Sequence, residues 1–335
     1  MRVLLTGATG IVGAEIRDQL QRAGAEVTAV ARRAGTDSGI VPWDMSNADP
    51  PAALAGPWNA IVNCAADTRW SQTADEALRA NVVSLEALAP LAAPDTHVVH
   101  VSTAAVVGPN SDGSQDDPDA YRNNYEWSKA RSERVARERF ERLTIVRPPL
   151  VIGRRGDGRA ARFAGMYMLL RGITSSSVPA VVGIPDGYFD VVPVDDVAAV
   201  VVAALDGSGA GEVLTPACGE AAPRVATAVE LMCGALNEWR EEQGVAPVDV
   251  PPFLAPESWR RFYRPFSDDV LSRRQLLTLD HLDNFLPYLE LTEPFEPTHP
   301  VTNAEEAIAP SVRYWAEWNP RLASLAPRPW AAVAG

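Results

Sequence analysis

The run Thr6-Gly7-Ala8-Thr9-Gly10-Ile11-Val12-Gly13 follows the apolar residues Val3-Leu4-Leu5 and leads into a segment, 11–20, with helical periodicity. A strand that must become a helix within a few residues has few backbone routes. Glycines supply the tight turn, and the first helical turn then presents unpaired N–H groups and the positive end of its dipole. That geometry suits a pyrophosphate. Alone, Gly-x-x-Gly-x-x-Gly is as readily an ordinary turn; the strand before it and the helix after it make the signal specific.

The alternation continues to about residue 150. Strand-like runs at 3–5, 27–31, 60–64, 98–102 and 144–146 are separated by helical stretches at 11–23, 75–92 and 125–141. Short apolar strands spaced by amphipathic helices predict a parallel sheet covered on both faces. Right-handed crossovers then give an α/β fold with a doubly wound, Rossmann-type sheet over residues 1–150. After Pro148-Pro149 the texture changes to an arginine-rich stretch at 154–162 and a serine loop at 175–179. A strand and helix at 191–205 and a strand at 212–215 follow, then a Pro-rich apolar stretch at 245–256 and a last helix near 305–318. Residues 151–335 are assigned to a smaller substrate-binding region, interleaved with the last strands of the core.

Apolar residues make up 47% of the 335, enough for a sizeable core. A net charge of −13 argues against nucleic acid and anionic membranes as partners, though a locally basic pocket can still hold an anionic cofactor. Cys64, Cys218 and Cys233 are too far apart for a disulfide framework or a metal knuckle. His97, His100, His281 and His299 lack ligand spacing, so core or surface roles and no metal are expected. With no signal-like start and no apolar stretch long enough to span a bilayer, the expectation is a soluble, cytoplasmic protein.

Tyr125 and Lys129 share one face of a helix, 22 residues beyond Thr103. An ammonium beside a phenol is expected to lower the phenol's pKa and make it a usable acid or base. Ser102 and Thr103 end a strand, where a hydroxyl can align a carbonyl with the tyrosine proton. Trp127 points from another face and suits packing or a dimer contact, leaving a homodimer open. The strand at 27–31 runs into Arg32-Arg33 with no acid at its end, which favours a 2′-phosphate and hence NADP over NAD.

Together these motifs resemble the extended branch of the short-chain dehydrogenase/reductase superfamily. The resemblance implies cofactor contacts from Gly7, Thr9, Gly10, Ile11, Val12 and Gly13. It implies others from Asp44 at the adenine, from Asn63, Ala65 and Ala66 in Asn63-Cys64-Ala65-Ala66, and from Asn81. Further contacts are implied for Tyr125 and Lys129, and for Pro148 and Val151 beneath the nicotinamide. Counting back from Gly108, Thr103 falls on the catalytic hydroxyl position, with Ser102 beside it. Tyr125 is implied as the proton donor, and Lys129 as the cation that keeps it acidic while reaching the ribose. The string from 172 to 195 is similar to fatty acyl-CoA reductases and thioester-reductase domains, the male sterility group. Ala105 and Val107 replace a tyrosine and a polar residue frequent there, leaving the acyl group open.

The implied activity is NADPH-dependent hydride transfer to a carbonyl or thioester carbon. A thioester would go to the aldehyde, with the further step to the alcohol left open; a ketone or aldehyde would go to the alcohol. The substrate is a small-molecule or carrier-bound acyl or carbonyl compound. A nucleotide-sugar epimerase or dehydratase with bound NAD is disfavoured by Arg32-Arg33 and Val107, and a non-catalytic NAD(P)-binding regulator by the intact Thr103, Tyr125 and Lys129. Arg154, Arg155, Arg159 and Arg162 suit either a carrier phosphate or solvent. In 251–266, Trp259, Phe262 and Tyr263 are expected to cover an acyl chain, with Arg260, Arg261 and Arg264 toward a carrier phosphate or solvent.

Overall fold

The computed structural model describes residues 1–33, 39–107, 112–175, 180–207 and 209–326. Gly108 and the tip of the serine loop, 176–179, lie outside them. Seven strands form one parallel sheet: β1 (Arg2–Thr6), β2 (Glu26–Ala31), β3 (Ile40–Pro42), β4 (Ala60–Asn63), β5 (His97–Val101), β6 (Arg142–Val146) and β7 (Val213–Leu214). Their spatial order is β3-β2-β1-β4-β5-β6-β7, so the winding reverses between β1 and β4. In such sheets, ligands bind outside the carboxyl ends of the strands at the reversal.

The register explains the two-sided core. Leu4 pairs with Ile61, Ile61 with Val98, and Val98 with Leu143, so one pleat row crosses four strands. That row packs against Trp43, Trp58, Leu85 and Phe140. The alternating row, including Val3, Leu5, Val62 and Val99, packs against Ile16, Leu20, Ala198 and Val201. Residues 75–92 do not form the continuous helix expected from periodicity. Ala74–Leu78 passes into a π-helical turn, Arg79–Val83, then Ser84–Glu86, and Pro90 lies in a final 3₁₀ turn. An extra residue in the π turn re-aims side chains. β3 was not expected because the three edge residues Ile40–Pro42 carry no period.

The chain divides into two compact units. The first comprises Met1–Val151, Val194–Ala217 and Pro297–Pro300. It includes helix Val194–Ala204, which packs on helix α1 (Ile11–Arg22), and Gln19 Nε2 donates to the Asp195 carbonyl at 3.0 Å. The second comprises Ile152–Pro193, Cys218–Glu296 and Val301–Gly335. Its helices Val225–Glu242 and Ile308–Trp318 pack together. Arg240 is fully buried, and its guanidinium donates to the carbonyls of Ala246 at 2.6 Å, Ala323 at 2.5 Å and Leu325 at 3.0 Å. Asp190 accepts from the N–H groups of Cys218 and Gly219, and burial pushes its carboxyl up to about 6.

Arg260 and Arg264 are both held by carboxylates, and Arg260 remains exposed to solvent. Arg260 pairs with Glu290 at 2.5 Å, and Arg264 with Asp268, Asp280 and Asp283. Trp259 is buried with its indole N–H on Asp283 at 2.7 Å, whereas Phe262 and Tyr263 are exposed. Arg155 donates to the carbonyls of Thr302 and Asn303. Among the described residues, no helix is long and apolar enough to cross a membrane, and no group of three or more His, Cys, Asp or Glu could hold a metal ion.

Candidate active site

The glycine turn is built from what its residues lack. Gly7 has φ +68°, a left-handed conformation that costs a residue with a Cβ about 1–2 kcal/mol. A Cβ there would also stand 2.5 Å from the Cys64 carbonyl carbon and oxygen and 2.7 Å from Ala65 N. Gly13 must be bare because a Cβ would strike the Gly7 carbonyl. Gly10 begins α1 with no side-chain cap, and no acid lies in the helix's first turn. Thr9, Ile11 and Val12 complete the turn. This bare helix N-terminus beside the sheet reversal fits the diphosphate of a dinucleotide.

Around it, Arg32 and Arg33 are exposed just past β2. Asp44, past β3, is held below the usual carboxylate range by hydrogen bonds from Asn47 and Ser46, with a smaller contribution from Arg32. Ala65 is half-buried and Ala66 exposed. The Asn63 side chain is bound within the protein: Oδ1 accepts from Thr6 Oγ1 at 2.6 Å and Ala65 N at 3.2 Å, and Nδ2 lies 3.1 Å from His100 Nδ1. Asn81, in the π turn, accepts from Asp67 N at 2.8 Å and donates to Ser128 Oγ at 2.8 Å. The side chains of Asn63 and Asn81 therefore fasten the walls of the site.

Helix Asn124–Arg139 carries the second cluster. Asn123 caps it by accepting from Glu126 N at 3.0 Å. Tyr125 and Lys129 project toward the end of β5. The Tyr125 hydroxyl is hydrogen-bonded with the Thr103 side chain, and Lys129 Nζ donates to the Val101 carbonyl at 2.8 Å. Ser102 is buried, and among the described residues its hydroxyl has no partner.

One electrostatic expectation is corrected. The Tyr125 phenol is not made more acidic; desolvation pushes its pKa up, the Glu126 carboxylate adds to this, and only the Thr103 hydrogen bond opposes it. Lys129 is not among the groups that shift it. Burial instead pushes Lys129 down to about 8, with Glu133 and Cys64 opposing. Glu133 is buried and grips Arg147 through two bonds of 2.9 and 2.6 Å, which ties this helix to the end of β6. Pro148 follows, buried, its carbonyl accepting from Ala104 N at 2.9 Å; Val151 is half-buried. Trp127 is buried, with its indole N–H on the Asp116 carbonyl at 3.1 Å.

From the sequence alone, His100 carried only a core or surface role and Ser132 none. Both are fully buried: His100 Nε2 lies 3.0 Å from Ser132 Oγ and 3.3 Å from Lys129 Nζ. The signal was there: His100 is polar in a five-residue strand buried throughout, one residue before the carbonyl that holds Lys129.

Residues 48–201 match the NAD-binding family model described as male sterility protein. No curated protein matches the sequence significantly. Among solved structures, the chain is similar to the terminal R domain from the myxalamid PKS-NRPS biosynthetic pathway, at 18% identity over 95% of this chain and 90% of that one, with a TM-score of 0.67. It is also similar to a thiolation-reductase di-domain from an archaeal non-ribosomal peptide synthetase, at 18% identity over 96% and 76% of the two chains and a TM-score of 0.62. A UDP-glucose 4-epimerase from Thermotoga maritima reaches the same TM-score, 0.62, at 17% identity over 95% of this chain and 100% of that one. At these identities, the likeness is one of fold.

Proposed function

We propose that this chain, whose residues 48–201 match the male sterility NAD-binding family model and whose fold resembles that of extended short-chain dehydrogenases/reductases, is an NADPH-dependent reductase acting on the carbonyl or thioester carbon of an acyl-type substrate. The carrying observation is the Tyr125–Thr103 hydroxyl pair, with the phenol held protonated by burial and by Glu126. Reduction needs a proton donor at the substrate oxygen, and a protonated phenol is in the right state. An epimerase begins by removing a proton, which this environment resists.

A bound nicotinamide supplies the hydride. Thr103 holds the substrate oxygen in line with the Tyr125 O–H, which donates its proton as negative charge develops there. Ser102, with a buried hydroxyl unpartnered among the described residues, is a second donor beside it. Lys129 keeps one ammonium proton on the Val101 carbonyl and offers the others to the ribose hydroxyls. The bare N-terminus of α1 takes the diphosphate, and the cationic Arg32-Arg33 pair supports a 2′-phosphate and so NADPH. The similar thiolation-reductase di-domain supports a thioester carried on a protein or on a small thiol.

Incubation with NADPH and a panel of acyl thioesters, aldehydes, ketones and nucleotide sugars tests this reading. NADPH oxidation with a thioester or an apolar carbonyl is expected. Conversion of a nucleotide sugar without net cofactor consumption would overturn it in favour of an epimerase.

A further inference from the structure

Beneath Lys129 lies a hydrogen-bond chain whose donors and acceptors are assigned from the Ala65 N–H outward. Asn63 Oδ1 accepts from the Ala65 N–H, which can only donate, so the Asn63 amide orientation follows. Its Nδ2 then donates to His100 Nδ1, 3.1 Å away. A neutral imidazole has one acceptor nitrogen, so the ring proton sits on Nε2. That Nε2–H points at Ser132 Oγ at 3.0 Å, and the Ser132 hydroxyl donates onward to the Lys129 carbonyl at 2.8 Å. The other charged groups acting on the ring are Lys129 and Arg137, both cationic, and with burial they keep it neutral.

Lys129 Nζ stands only 3.3 Å from the same Nε2. Both atoms carry protons, so the ammonium finds no acceptor on that side. Its one protein acceptor on this face is the Val101 carbonyl.

We infer that His100, fixed as its Nε2–H tautomer by Asn63, is a positioning residue for Lys129: it denies the ammonium an acceptor in the core and so turns its remaining protons toward the cofactor site. The inference rests on the reductase reading only for what Lys129 then does; the arrangement itself does not depend on it.

Two measurements on the full chain test it. In ring-¹⁵N histidine spectra, the resonance lost in His100→Gln should show an unprotonated Nδ1 and a protonated Nε2, unchanged between roughly pH 5 and 8. A protonated Nδ1, or titration in that range, would overturn the assignment. The second is a double-mutant cycle on NADPH affinity, read by cofactor fluorescence. His100→Phe should weaken binding roughly tenfold in the parent but less than about twofold in a Lys129→Met background. His100→Gln, which returns an N–H donor near the Nε2 position, should recover most of that loss. Fully additive losses would make His100 a packing residue and overturn the inference. If His100→Phe fails to fold, the ring-nitrogen spectrum of the unaltered chain decides alone. A parent that bound neither NADPH nor NADH would sink the functional reading, while the tautomer signal still judged the His100 arrangement.

Discussion

The two halves of the candidate site are made in opposite ways. The turn at Gly7–Gly13 works by omission: absent Cβ atoms let the Cys64–Ala65 backbone close in, and an uncapped helix end presents bare N–H groups. The cluster at Thr103, Tyr125 and Lys129 works by crowding: Thr103 and Lys129 are buried, and desolvation together with neighbouring groups shifts the protonation of Tyr125 and of Lys129. The turn reads shape and a fixed dipole; the cluster reads protons. Damage to the first should appear in cofactor affinity, and damage to the second in turnover.

The largest expected effect separates them. Tyr125→Phe keeps the ring and loses the donor, so turnover should fall about 10²–10⁴-fold while the NADPH Kd stays near the parent's. Turnover within a few-fold of the parent would remove Tyr125 from the chemistry. Gly7→Val strikes the other half. Left-handed strain of about 1–2 kcal/mol adds to overpacking of about 1–3 kcal/mol against the Cys64 backbone. Cofactor affinity or thermal stability should drop accordingly, and a parental Kd at an unchanged Tm would refute the cradle.

A narrower effect is expected beside the turn. Replacing Arg32 and Arg33 together by Ala should weaken NADPH by about 1.5–3 kcal/mol while sparing NADH. Equal losses for both cofactors would show that the pair does not read the 2′-phosphate.

The smallest effect sharpens the electrostatics. Lys129 loses its ammonium proton through about 8, so kcat/KM should fall about tenfold per pH unit above that point. A profile flat well past it would mean the neutral amine suffices. Since the folded pKa lies below the unfolded one, the buried charge costs stability below pH 8. That cost fades as pH rises toward the ordinary lysine range.

Most of the sheet was legible in the sequence because its strands are short apolar runs between periodic helices, and a parallel core buried on both faces requires that pattern. The strands observed at β1, β2 and β6 contain the runs expected, β4 and β5 end one residue short of theirs, and β7 lies within 212–215. Three-residue β3 escaped because an edge strand needs no period. The π turn escaped because Asn81 within it is held by Asp67 and Ser128, distant in sequence. The Gly7–Gly13 turn and the Tyr125–Lys129 spacing could be read locally because backbone conformation and helical pitch are local properties. Protonation could not. Whether Lys129 acidifies Tyr125 depends on where Nζ points, and the Val101 carbonyl and the His100 ring, brought beside the helix by the packing of β5, determine that. The sequence by itself determined which groups could do chemistry and on which elements they sit. Only the tertiary structure decided which charges each one feels, because desolvation and partner distance arise when strands and helices from separate parts of the chain close over the same few atoms.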